Sequence, residues 1–198
     1  MTSPVNPAEP ASASAPHAEL WKPVLLRALA ALVFGAVTVF WAAPSEEGMG
    51  IAGGLYLLAT GTVLFWGMPL AGLGREVSPG RSMAAAASIL TGAGVTLMVL
   101  HGSLVFAVIA ALGIGLLGAA ELYFGLRFRG GHVLARDWLA SGVIGLGTAA
   151  ALPFFVPLGP HALLGVAGGG AIVSGVLWIL AGLSLRHDAQ TATAKAVN

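Results

Sequence analysis

Apolar residues in this chain fall into six long runs, at about 24–43, 49–70, 82–100, 103–126, 138–157 and 162–185. Short polar interruptions separate them. Each run is near the ~20 residues an α-helix needs to cross a ~30 Å hydrocarbon core. A spanning barrel would need alternating segments of about 10 residues, and the runs do not alternate. Lipid also offers no water to backbone polar groups, which a helix pairs internally. The pattern therefore predicts an all-α, polytopic membrane protein with six transmembrane helices joined as hairpins.

Composition strengthens this reading. The 198 residues are 57% hydrophobic and 9% charged, against about 25% charged in an ordinary soluble domain. Too little charge remains to cover a water-facing surface. The stretch 1–20, "MTSPVNPAEPASASAPHAEL", is rich in Pro, Ala and Ser. It lacks a signal peptide's basic and apolar regions and reads as a disordered tail. The expected organisation is a tail at 1–20, a six-helix membrane domain at 21–188 and a second tail at 189–198.

The charge distribution sets an orientation. Lys22, Arg27, Arg75, Arg81, Arg127, Arg129, Arg136, Arg186 and Lys195 are all the Lys and Arg in the chain. All fall on one side of the six-span arrangement. The opposite turns, "APSEEG", "LHGS" and "VPLGPH", contain none. The positive-inside rule then places both termini in the cytoplasm. Trp21 and Trp138 fall at cytoplasmic ends and Trp41 at an outer end, as interfacial tryptophans do.

An internal repeat overlies the spans. Gly61, Gly118 and Gly175 are spaced by 57 residues, and so are Gly35, Gly92 and Ala149, and Ala31, Ser88 and Gly145. We read three tandem parallel hairpins with a pseudo-threefold arrangement. Gly35, Gly61, Gly92, Gly118 and Gly175 are the expected helix-packing positions, because small residues let backbones approach closely in lipid.

Gly113, Gly115 and Gly118 also spell G-x-G-x-x-G. A dinucleotide turn needs a preceding strand and an acid about 20 residues on, and this stretch has neither. The glycines read as packing positions.

Glu121 is the unusual residue in that span. It lies about six residues, roughly 9 Å, from the cytoplasmic end, where an unpaired charge costs a few kcal/mol. Arg127 points about 240° away around the helix. Arg27 is at matched depth with opposite sign, so a buried Glu121–Arg27 pair is expected to join the first and second hairpins. At the outer side, Glu46, Glu47, His101 and His161 titrate between about pH 4 and 7. They form a candidate pH-responsive surface on which protonated histidines could pair with the glutamates. Asp137 reads as a helix N-cap, and Pro153, Pro157 and Pro69 as kinks or stops. Arg127, Arg129 and Arg136 could touch anionic lipid.

The segments "LLRALAALVFGAVTVFWAAP", "GGLYLLATG", "GLLGAAELYFGLRFR" and "GVLWILAGLSLR" resemble the HdeD family of acid-resistance membrane proteins over about residues 20–188. Arg27, Gly35 and Pro44 occupy the family's entry pattern, and Gly118, Glu121 and Arg127 its middle exit pattern. The chain departs from the family with Ala28 after Arg27 and His101 at the second outer turn. The resemblance implies a small six-helix bacterial inner-membrane protein with a non-enzymatic role in acid or envelope stress. It implies no catalytic residues.

No metal-ligand spacing appears among His17, His101, His132, His161 and His187, no catalytic motif is present, and no cofactor is expected. Membrane lipid is the expected partner. Nucleic acid is not, for want of a basic soluble domain. A protein partner and self-association are left unspecified. The alternative function is a small proton, cation or solute transporter or channel using Glu121.

Overall fold

The computed structural model describes residues 19–73 and 78–197, and every regular element among them is helical. In chain order these are α1 (Trp21–Phe40), α2 (Glu46–Leu70), α3 (Ser78–Val99), α4 (Ser103–Arg127), α5 (Ala135–Ala151) and α6 (Gly159–Val197). A 3₁₀ segment, Leu152–Leu158, joins the last two. His17 and Arg75 lie outside the described residues.

Five helical stretches are long and apolar enough to cross a membrane, the fifth being the continuous stretch Ala135–Ala194. This is a multi-pass membrane protein by length and composition. The fifth stretch folds back on itself: Ser141 meets Trp178, and Thr148 meets Gly170. Pro153 and Pro157 make the break, since neither supplies an N–H to continue the α-helical ladder. Gly159, at φ +79°, then allows the reversal into α6. Pro69 sits at the penultimate position of α2, so it stops that helix without kinking its interior.

Glycines bring the helices together in three antiparallel pairs. A Cβ at Gly61 on α2 would lie 2.9 Å from the Ala87 carbonyl oxygen on α3. One at Gly118 on α4 would lie 2.9–3.0 Å from Leu146 N and Gly142 O on α5. One at Gly175 on α6 would lie 2.9 Å from Leu32 on α1. The tightest partners are thus α2–α3, α4–α5 and α6–α1. Between α1 and α6, Gly35 receives Ile172, and Gly168 receives Thr38. In lipid such close approach replaces the hydrophobic drive that packs soluble helices.

Four expectations are corrected. Gly92 is exposed, with nothing within 4 Å of a Cβ placed there. Gly94, two positions on, makes the contact instead, packing on the Gly54 carbonyl of α2. The segment 189–197 is helical rather than a disordered tail, because α6 continues through Val197. Its threonines bond back within the helix: Thr191 donates to the His187 carbonyl and Thr193 to that of Ala189. Asp137 is not an N-cap: α5 starts after Leu134, with no side-chain cap, and Asp137 lies in the first turn. Trp138 is buried, stacked on His132 at 4.5 Å, rather than interfacial.

Candidate functional site

All six helices converge on one small cavity. Arg27 reaches it from α1, Thr60 from α2, Leu90 from α3, Glu121 from α4, Ser141 from α5 and Trp178 from α6. Its volume is about 30 Å³, room for water, which needs about 10–15 Å³ and at least two polar partners.

The structure brings Arg27 and Glu121 together as an ion pair, Nη1 to Oε1. Glu121 is 1% exposed and Arg27 9%. The Arg27 guanidinium also lies over the Trp178 indole, 4.4 Å from the ring centroid. Trp178 Nε1–H in turn donates to Ser141 Oγ at 3.1 Å. A chain of contacts Glu121–Arg27–Trp178–Ser141 therefore ties α4, α1, α6 and α5. Tyr56 and Thr60 of α2 line the same cavity beside the pair. A second, apolar cavity of about 50 Å³ shares Arg27 and Trp178 with the first and extends past Leu20, Leu73 and Leu134. It lies at the end of the bundle that carries the cations.

That end is closed by His132. Leu134 N–H donates to Nδ1 at 3.1 Å, so Nδ1 is unprotonated; Nε2–H then donates to the Ala71 carbonyl at 3.0 Å. This neutral ring ties the α4–α5 loop to the end of α2.

The opposite end is closed by two other contacts. Glu46 Oε1 accepts from Ser103 N–H at 3.0 Å and from Ser103 Oγ–H at 2.9 Å. The residue at the N-cap of α4 is Gly102, which has no capping side chain. Glu46, at the start of α2, therefore caps α4 from another helix, where a carboxylate suits the unpaired N–H groups and the helix dipole. His161 Nδ1–H donates to the Trp41 carbonyl at 3.3 Å. The expected pairing partners are not together: among the described residues neither His101 nor His161 forms an ion pair with Glu46 or Glu47. Gly35, Gly61, Gly118 and Gly175 pack helices as described above, and Gly92 does not.

The cap has an acid-side consequence. An ionised Glu46 accepts both bonds strongly; protonation removes its charge and weakens it as an acceptor. The contact is present while the carboxyl is ionised and is lost once acid protonates it. Hydrogen exchange at the first turn of α4, corrected for intrinsic rates, should rise several-fold on acidification in the wild type. In Glu46→Gln it should be raised already at pH 7 and no longer respond to pH.

Sequence reasoning missed Trp178, Ser141, Thr60 and His132. The repeat could have pointed to two of them: Trp178 stands 57 residues after Glu121, and Ser141 stands 114 after Arg27. Nothing in the sequence marks His132, whose two ring nitrogens meet backbone groups in the hydrogen bonds described.

The fold and the site define a class: an all-helical, multi-pass membrane protein with a neutralised charge pair at the convergence of its helices. No known protein family, characterised protein or solved structure matches the chain.

Proposed function

We propose that this is a six-span inner-membrane protein with both termini in the cytoplasm and a non-enzymatic role in acid or envelope stress. Its spans are three tandem hairpins with a period of about 57 residues, and its sequence resembles the HdeD family. The helix starts support the repeat. Those of α1, α3 and α5, at Trp21, Ser78 and Ala135, are 57 apart; those of α2, α4 and α6, at Glu46, Ser103 and Gly159, are 57 and 56 apart.

One observation carries the stress role. The end without cations is closed through Glu46 and His161, side chains of the types that take up protons in acid. Acid on that side alters the contacts there, while the Arg27–Glu121 pair holds the core. The test is acid survival of a deletion strain complemented with wild type, Glu46→Gln, the His101→Gln/His161→Gln double variant and Glu121→Gln. Survival of the deletion strain equal to wild type would refute the role.

The central cavity favours a second reading, proton or cation passage using Glu121, because this buried carboxylate lines a space with room for water where all six helices meet. Proton flux into proteoliposomes that disappears in Glu121→Gln, but persists in a folded Glu46→Gln control, would select this reading.

A further inference from the structure

The outer halves of α1 and α2 stand apart. Between them runs an open groove of about 470 Å³, walled by Val33 and Val37 on one side and Ile51 and Leu55 on the other. All four walls are exposed, from 38% to 54%. Its floor is the stacked pair Phe34 and Tyr56, with ring centroids 4.5 Å apart. We propose that this groove binds one acyl chain of a phospholipid with an ammonium headgroup. The inference rests on the reading that α1 and α2 cross the bilayer.

Three observations carry it. The first is depth. The groove runs along α1 from Ala30 to Trp41, about 16 Å at 1.5 Å per residue. That is one leaflet, half of a ~30 Å hydrocarbon core. Toward the other end the helices close, with a Cβ at Gly67 falling 3.2 Å from Pro23. A partner helix would need the full ~30 Å, and an acyl chain of one leaflet does not.

The second observation is that the small lining residues are particular to this hairpin. Gly48, Ala52 and Ala59 line it. The residues 57 positions on are Val105, Ile109 and Leu116, and those 114 on are Ala162, Val166 and Val173. Only the first hairpin carries three small residues there.

The third is charge. Glu47 is exposed, one helical turn before Ile51 on the same face. It has no salt-bridge partner among the described residues. Trp41 flanks the mouth, lying against Gly48, as tryptophan does at headgroup level. An ammonium group complements Glu47, and an anionic headgroup is repelled.

The probe is purified protein in mild detergent, titrated with phosphatidylethanolamine or phosphatidylglycerol. The readouts are bound lipid by native mass spectrometry and melting temperature. Wild type is expected to retain one phosphatidylethanolamine per chain and to melt several degrees higher with it than with phosphatidylglycerol. Ala52→Ile/Ala59→Leu, which fills the groove, should lose the bound lipid and the shift. Glu47→Gln, at an exposed site that leaves the fold alone, should keep acyl binding and lose the headgroup preference several-fold. Lipid retention by the filled variant equal to wild type overturns the proposal, as does equal preference in Glu47→Gln. So does an interchain disulfide formed by Val37→Cys in membranes, since the chain has no other cysteine and a second copy would then occupy the groove. Solubility of the protein without detergent would instead overturn the bilayer reading itself.

Discussion

Glu121→Gln is expected to lower the unfolding free energy in detergent by about 3–5 kcal/mol, the usual cost of removing one partner of a buried ion pair. The reason is what remains. Arg27 is 9% exposed, and Glu121 is its ion-pair partner. Without the carboxylate, a guanidinium stays inside the bundle over the Trp178 face, with no opposite charge paired to it among the described residues. Cation–π attraction is worth about 2 kcal/mol even when desolvated, too little to offset a buried charge. The double variant Arg27→Met/Glu121→Leu should recover most of the loss, because apolar replacement of a whole buried pair is often neutral or stabilising. The measurement is a double-mutant cycle by denaturant titration followed by tryptophan fluorescence. Single and double variants of equal stability would show that the pair has no energetic coupling. Equal stability of Glu121→Gln and wild type would show that it does not hold the bundle.

The second large effect is expected at the α4–α5 contact. A Cβ at Gly142 would sit 2.7 Å from both the Gly118 carbonyl oxygen and Leu122 N. These are backbone atoms, so no rotamer change relieves the clash; the two helices must separate. Gly142→Ala should cost about 1–3 kcal/mol, the range for overpacking, and Gly142→Leu should prevent the helices from pairing at all. The control lies on the same helix. Gly147 has nothing within 4 Å of its Cβ position, so Gly147→Ala should be neutral or stabilising by about 0.5–1 kcal/mol through helix propensity. Melting in detergent distinguishes the two. If Gly142→Ala and Gly147→Ala behave alike, the glycines are not packing positions.

Gly92 and Gly94 show how far the repeat could be followed in one dimension. Gly118 packs on Gly142 and Leu146, and Gly175 on Ala28 and Leu32; these partners stand in the same columns of the 57-residue repeat. Gly61 packs on Ala87 and Thr91, two positions beyond the columns of the other two. The α2–α3 register is displaced by two residues, so the contact expected at Gly92 falls at Gly94. Two residues turn a helix by about 200°, enough to move a side chain from an interface to lipid. Alignment of small residues reveals that a contact exists, and its register depends on both surfaces at once.

The chain's own order of residues determined its class, its helices and the central pair. Oily runs near ~20 residues admit little besides helices in lipid. A carboxylate and a guanidinium at matched depth must find each other or face hydrocarbon, and Glu121 and Arg27 do meet. What tertiary structure alone decided was which helices touch. Close packing joins α6 to α1, the two ends of the chain. It also puts Trp178 beside Arg27 and Ser141, and holds α1 and α2 apart over half their length. Those outcomes depend on how three pairs of helices close into one ring. Closure is a property of summed small contacts between distant segments, which no local pattern of residues encodes.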